Sequence, residues 1–301
     1  LHGPRQCGKT TLAKSLGDDD GRQYFTLDDA VTLTSVKADP SGFVLDLQGP
    51  VTIDEVQRVP ELFLAIKQSV DRDRRPGRFL LTGSANVFFV PKVADSLAGR
   101  MEIVRLHPLS EVEIRRQSPN FLDRIFAGDF KVSQGERLGP RLADLIVRGG
   151  FPEAVRRDTV RGRRAWARNY LDAIIQRDVR ELARIQRLDI LPRLLEFAAG
   201  QTARLVNVRE MAGPFGVSRT TVGHYLTLLG QVFLVEELPA WHANRLKRLV
   251  KTPKLHVTDT GLACAILGVG EDDLREDRKL LGQLLETFVV QELRRQVSGW
   301  Q

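Results

Sequence analysis

Apolar and polar positions follow two rhythms along this chain. Over its first third, short β-rich apolar runs are set apart by polar and helical stretches. These runs are Tyr24–Leu27, Pro50–Glu55, Arg78–Leu81 and Met101–Leu106. Runs this short, rich in Val, Ile, Phe and Tyr, read as buried strands. Thr11–Leu16 opens a helix ahead of the first run, and Ser69–Arg75 is a charged stretch between elements. Strands alternating with helices predict an α/β fold with a parallel sheet and flanking helices. Such sheets bind ligands at the carboxyl ends of their strands.

After Pro108 the rhythm becomes helical. Trp166, Tyr170, Ile174, Ile175, Val179 and Leu182 recur at helical spacing and predict a buried stripe, with Arg177 and Asp178 beside it. Val208, Met211 and Ala212 mark a short helix, Gly213–Gly216 a turn, and Ser218 the N-cap of a second helix. That helix turns Val222, Tyr225, Leu226 and Leu229 inward and Arg219, Thr220, Thr221 and His224 outward. Val232–Leu238 reads as a strand. Arg245, Lys247, Arg248, Lys251 and Lys254 follow it as a basic hairpin would, and together these elements predict a winged helix. Lys254–Val257 is a further strand, leading through Asp259-Thr260-Gly261 to a helix from Leu262. Leu280–Val297 predicts a closing helix with Leu281, Leu284, Leu285, Phe288, Val289 and Leu293 on one face.

Composition adds little until charge is mapped along the chain. The 301 residues are 42% hydrophobic and 28% charged, values of a soluble globular protein of about two domains. No apolar run approaches the ~20 residues of a membrane span, so no membrane partner is expected. Cys7 and Cys264, the two cysteines, are far apart, which predicts no disulfide framework and a reducing cytoplasmic setting. The net charge of +7 is uneven: residues 141–260 carry 21 Lys+Arg against 12 Asp+Glu, whereas residues 1–140 carry 19 of each. A basic block of this kind suits a polyanion such as DNA and equally suits a solvated arginine-rich surface. Only Leu1 and His2 precede Gly3, and the last helix runs close to Gln301, so the chain reads as a piece of a longer product.

The chemistry concentrates near the start. Gly3-Pro4-Arg5-Gln6-Cys7-Gly8-Lys9-Thr10 fits G-x-x-x-x-G-K-[ST], and Thr11 follows it into the helix. The glycines let successive N–H groups turn toward phosphate oxygens, the lysine reaches the β- and γ-phosphates, and the Thr10 hydroxyl suits Mg²⁺. The pattern thus predicts ATP and Mg²⁺ as cofactors. Asp54 and Glu55 close a β-rich run as a Walker B pair does, Asp54 toward the metal and Glu55 toward the attacking water. The next strand ends in Thr82, Ser84 and Asn86, any of which suits a γ-phosphate sensor. Arg100 is placed for a γ-phosphate contact or for an arginine finger acting on a neighbouring subunit, which makes a homo-oligomer a further expectation. Cys7 sits inside the loop, where a small residue is the ordinary occupant and thiol activation by the helix the alternative.

Taken together, these motifs resemble a large group of uncharacterised bacterial and archaeal ATP-binding proteins. That group joins an AAA+-type ATPase to a C-terminal domain of unknown function. The matching stretches are Gly3–Thr11, Leu27–Asp29, Thr52–Glu61, Leu80–Asn86, Ser96–Arg100, Gly149–Glu153, Arg177–Val179, Lys251–Lys254 and Asp259–Leu262. The resemblance implies an ASCE-type ATPase core over residues 1–110, a helical region over 111–200 and a winged-helix-like region over 201–258. It also implies the beginning of a restriction-endonuclease-like domain over 259–301. The group's acidic Glu-Val-Asp stretch lies beyond this sequence. Glu286 alone cannot supply the near-octahedral oxygen shell of Mg²⁺, so no nuclease activity is expected, and Glu286 is expected to face water or pair with Arg294 or Lys279. Two function classes stand open. One is a probable ATPase working as motor or switch on DNA or a protein partner, with Arg219, Thr220, His224, Arg245, Lys247 and Arg248 as DNA contacts. The other is a nucleotide-gated DNA- or protein-binding regulator whose hydrolysis is slow or incidental.

Overall fold

The computed structural model describes residues 1–84, 99–118, 120–129, 138–182, 187–244, 248 and 251–298. The chain forms two compact units, Leu1–His107 and Pro108–Gln301.

The first unit runs α1 (Lys9–Asp20), β1 (Gln23–Thr26), α2 (Ala30–Ala38), α3 (Pro40–Asp46), β2 (Val51–Asp54), α4 (Leu62–Arg72) and β3 (Phe79–Leu81). The strands are parallel in the order β1-β2-β3, with Thr26 opposite Asp54 and Ile53 opposite Leu81. Past β3, His2 bridges Gly83 on one side and Arg105 on the other, both in parallel sense. The segment that enters the glycine-rich loop therefore lies between β3 and Arg105, and β2 is flanked by β1 and β3. Every residue of β2 is buried, as a strand covered on both faces requires. α4 packs Leu62, Phe63, Ala65 and Ile66 from one stripe into a core with Leu27, Val36, Val44, Val51 and Ile53. Asp29 and Asp39 start α2 and α3 by accepting from the backbone N–H groups of Thr32 and Gly42. The Met101–Leu106 run is less of a strand than its composition predicts. Among the described residues its pairing is with His2, whose N–H donates to Val104 and whose carbonyl accepts from Leu106.

The second unit includes α5 (Pro140–Arg148), α6 (Val160–Ala173), α7 (Ile190–Gly200), β4 (Arg204–Leu205), α8 (Val208–Ala212), α9 (Arg219–Gln231), β5 (Val235–Leu238), β6 (Lys254–Val257), α10 (Thr260–Leu267) and α11 (Arg278–Ser298). α6 continues as a π-helical stretch, Ile174–Val179, in which Asp178 is buried and Arg177 exposed. The rings of Phe151, Trp166 and Tyr170 meet with centroids 5.1–5.3 Å apart at the heart of this core. Ser218 caps α9 by accepting from Thr221 N–H at 3.0 Å, and Val222, Tyr225, Leu226 and Leu229 are buried. β5 and β6 are antiparallel, with β4 on the other side of β6.

Several expectations are corrected here. Val232–Leu234 is a turn with Phe233 at φ 59°, so the strand begins only at Val235. Thr221 is half-buried, drawn in by its contact with Ser218. α10 begins at Thr260, because Asp259 caps it through Leu262 N–H at 3.1 Å. The buried residues of α11 are Leu284, Thr287 and Gln291, and Val289 is 47% exposed. Hydrogen bonding decides this. Thr287 Oγ1 meets Thr202 Oγ1 at 2.9 Å and His256 Nδ1 at 3.0 Å, and the Gln291 amide donates to the Val257 carbonyl. Glu286 pairs with Lys254 of β6, not with Arg294 or Lys279; Arg294 instead meets Glu236 at 2.5 Å.

One buried carboxylate ties this unit together. Asp259, 2% exposed, accepts from Gly150 N–H at 2.8 Å and from Arg295 Nη2 at 3.3 Å while capping α10. Removing one partner of a buried ion pair costs about 3–5 kcal/mol. Asp259→Ala is therefore expected to destabilise the protein by about 3 kcal/mol, and Asp259→Asn, which keeps the cap, by less. Urea unfolding followed by tryptophan fluorescence checks this, and equal midpoints for Asp259→Ala and the parent would refute it.

Candidate functional site

The glycine-rich loop is shaped by residues that few others could replace. Gly8 takes φ 103° and Gln6 φ 59°, left-handed conformations that reverse the chain just before α1. At Gly3 a Cβ would stand 2.1 Å from the Leu106 carbonyl oxygen, so only glycine fits there. Pro4 and Cys7 are buried, Arg5 is half-buried, and Gln6 and Thr11 are exposed. Lys9 is buried, and its ammonium donates to the carbonyls of Gly3 at 3.0 Å and Pro4 at 2.7 Å. The cation is thus held over the loop by two neutral acceptors.

Asp54 is where the loop meets the sheet. It ends β2 and is 4% exposed, and its carboxylate accepts three hydroxyls. Thr10 donates to Oδ2 at 3.1 Å, Tyr24 of β1 donates to Oδ2 at 2.7 Å, and Thr82 donates to Oδ1. Burial first, and then the bond to Asp54, pushes the Tyr24 phenol well above its ordinary range, so it stays a neutral donor. Thr10 and Asp54 are hard oxygen donors of the kind Mg²⁺ prefers, and they are the residues that would hold it.

Glu55 leaves the sheet in a left-handed conformation, φ 59°, and opens a 3-10 turn, Val56–Arg58. The turn folds Gln57 back on Glu55. Ser84 Oγ donates to Glu55 Oε2 at 3.0 Å, and the Gln57 amide donates both to that oxygen and, at 3.1 Å, to Ser84 Oγ. The sensor positions thus separate: Thr82 serves Asp54 and also accepts Glu55 N–H at 3.3 Å, whereas Ser84 serves the Glu55 side chain. Asn86 lies outside the described residues. Tyr24 and Gln57 were not singled out by sequence reasoning. Nothing in the sequence says that Tyr24 will neighbour Asp54. Gln57 stood inside the matching stretch Thr52–Glu61 without a role.

Arg100 is placed elsewhere. Its guanidinium grips Asp71 with Nε–Oδ1 at 2.6 Å and Nη2–Oδ2 at 3.3 Å, and this bond holds the Asp71 carboxyl below the usual carboxylate range. α4 leaves the sheet beyond Asp54 and returns to the start of β3, so Asp71, near its end, lies at the opposite strand edge. In the second unit, Arg219, Thr220 and His224 are exposed on α9. Arg248 lies in the β5–β6 connection with its guanidinium 5.6 Å from the centre of the Trp241 ring, which is 78% exposed. Arg245 and Lys247 lie outside the described residues.

Residues 1–115 match the model of an AAA domain, and residues 139–273 match that of a domain of unknown function, DUF8612. In solved structures the chain is similar to a Walker-type ATPase of Pyrococcus abyssi, with a TM-score of 0.52, 15% identity, and coverage of 88% of this chain and 89% of that one. The fold is that of the P-loop ATPases. An uncharacterised protein of Mycobacterium tuberculosis and one of Mycobacterium bovis are each 32% identical over 293 residues, 97% of this chain. The chain spans 61% of the length of those relatives. Among the described residues no helix is long and apolar enough to cross a membrane.

Thiol chemistry in the loop is disfavoured. Cys7 is buried, with Sγ directed at the Leu106 carbonyl, and burial pushes its thiol up; burial also pushes Cys264 up to about 12. Iodoacetamide at pH 8 is expected to label both thiols at least about tenfold more slowly in the native protein than in urea, since the thiolate is the reacting form. Rapid native labelling of Cys7, read by peptide mass mapping, would show the loop exposing an activated thiol after all.

Proposed function

We propose that this chain binds ATP through the Gly3–Thr11 loop and hydrolyses it with Mg²⁺. The observation that carries the reading is the junction of loop and sheet: Thr10 bonded to Asp54 at the carboxyl end of β2, with Glu55 next in the chain. Backbone N–H groups at the start of α1, and Lys9, would bind the phosphates. Thr10 and Asp54 would hold Mg²⁺, which when bound offsets the charge of the phosphate oxygens. Glu55 would take the proton of the attacking water, and Thr82 and Ser84 would keep the two carboxylates in place beside the γ-phosphate. Arg100 is retained as a finger for a neighbouring subunit.

The second unit we read as a DNA-binding element. Its order of α7, β4, α8, α9, β5, connection and β6, with sheet order β4-β6-β5, supports a winged helix. The start of α9 exposes Arg219, Thr220 and His224, and the basic excess of residues 141–260 favours a polyanion. Nucleotide turnover would then drive or gate that contact.

Lys9→Ala is expected to abolish tight ATP binding. Glu55→Gln is expected to bind ATP normally and lose about 10²–10⁴-fold in turnover, the worth of a general base. Phosphate release and titration with a fluorescent ATP analogue check both, and parental turnover by Glu55→Gln would remove Glu55 from the role of base. Duplex DNA binding, followed by fluorescence anisotropy, is expected to weaken with salt. Losing the one phosphate contact made by Arg219 in Arg219→Ala should flatten the log–log slope by about 0.9. Salt-independent binding would favour a protein partner in place of DNA.

A further inference from the structure

Asp54 and Glu55 are consecutive, yet they are held by two separate sets of donors. Among the described residues Asp54 receives hydroxyls alone: Thr10 from α1, Tyr24 from β1 and Thr82 just past β3. Glu55 receives Ser84 and Gln57, both at Oε2. Oε1 of Glu55 accepts no hydrogen bond from the described residues, so the carboxylate is pinned by one oxygen and presents the other. The two sets meet only through Thr82, which accepts Glu55 N–H and so touches Glu55 by its backbone alone.

Resting on the ATPase reading above, we infer that Tyr24 and Gln57 are positioning residues with separable tasks. Tyr24 sets Asp54 for the magnesium ion, and Gln57 sets Glu55 so that Oε1 faces the attacking water. A ligating carboxylate with one rotamer fixed by outer hydrogen bonds binds its metal more tightly than one free to turn, and loss of such a partner typically costs 10–100-fold in metal affinity. Tyr24 is suited to this. Its hydroxyl lies 2.7 Å from Oδ2, nearer than that of Thr10, and the Lys14 ammonium, 4.7 Å from its ring centre, covers the ring. Gln57 is suited to the other task because its amide carries two protons and uses one on Glu55 and one on Ser84, closing a three-membered ring of hydrogen bonds. A primary amide cannot accept the water's proton, so its effect must pass through Glu55. Neither residue touches the nucleotide-binding loop by any hydrogen bond described, so each can be changed without altering Lys9 or the loop glycines.

The test separates the tasks and needs turnover for only one of them. Mg²⁺ is titrated against the affinity for a fluorescent ATP analogue, and kcat is measured at saturating Mg²⁺. Tyr24→Phe, which keeps the ring, should raise the Mg²⁺ midpoint of analogue binding about tenfold. Its kcat at saturating Mg²⁺ should stay near that of the parent. Gln57→Ala should leave the Mg²⁺ midpoint in place and lower kcat by about 10–100-fold, part of the worth of a general base. Gln57→Met, an apolar replacement of similar length, should match Gln57→Ala; it decides the point should the alanine variant unfold. An unchanged or lowered Mg²⁺ midpoint in Tyr24→Phe overturns the Tyr24 assignment, and parental kcat in both Gln57 variants overturns the other. Variants that shift midpoint and kcat together would show one shared structural role and overturn the separation. If the unaltered chain shows neither Mg²⁺-dependent analogue binding nor turnover, it is the ATPase reading that fails, and the parent measurement alone reveals this.

Discussion

The convergence of hydroxyls on Asp54 is the constraint on which the first unit depends. A carboxylate 4% exposed at the end of a buried strand would be costly if left alone, and each donated hydroxyl offsets part of that desolvation. To deliver the donors, β1 must lie on one side of β2 in the register that puts Tyr24 within reach, and β3 on the other so that Thr82 follows Leu81 to the same edge. The loop must also bring Thr10, one residue into α1, against the same carboxylate. Sheet order, register and the left-handed turn at Gly8 are therefore satisfied together or not at all. The chemistry proposed for the site is a by-product of this arrangement: the strand edge where the hydroxyls meet is the edge toward which the loop opens.

The second unit solves the same problem with other residues. Asp259 is buried with Arg295, and its remaining lone pairs take the N–H groups of Gly150 and Leu262. Gly150 and Gly261 tolerate the crowding because each lacks a Cβ. At Gly150 that atom would stand 2.1 Å from the Leu109 carbonyl oxygen, and at Gly261 2.6 Å from that of Arg148. Along α11 the buried line is polar as well as apolar, since Thr287 and Gln291 answer groups of Thr202, His256 and Val257. His256 is held below its ordinary pKa, by burial first and then by Arg294. A histidine kept neutral in the folded state costs stability as the pH falls below about 6.5, the value of the unfolded chain, because the unfolded state then binds the proton.

Much of the site was legible because its signals are local. The loop pattern, the carboxylate pair at a strand end, and the cap at Ser218 are written within a few consecutive residues. Local backbone geometry reads them directly: a left-handed turn needs Gly8, a helix start needs an acceptor, and a strand flanked by neighbours on both sides is buried along its length. The fold class followed from the same alternation of short strands and helices, and the match of the fold to a Walker-type ATPase agrees with it.

What the sequence by itself determined, then, was the chemistry of contiguous segments: a phosphate-binding loop, a strand ending in two acids, and a capped helix after a tight turn. Only the tertiary structure decided which distant side chains meet. Tyr24 reaches Asp54 across 30 residues of sequence, Arg100 is drawn to Asp71, and Glu286 finds Lys254 in place of a neighbour on its own helix. Periodicity along a segment says which face of an element is buried. It does not say which element lies beside it, and a hydrogen bond or ion pair between strands exists only once order and register are set.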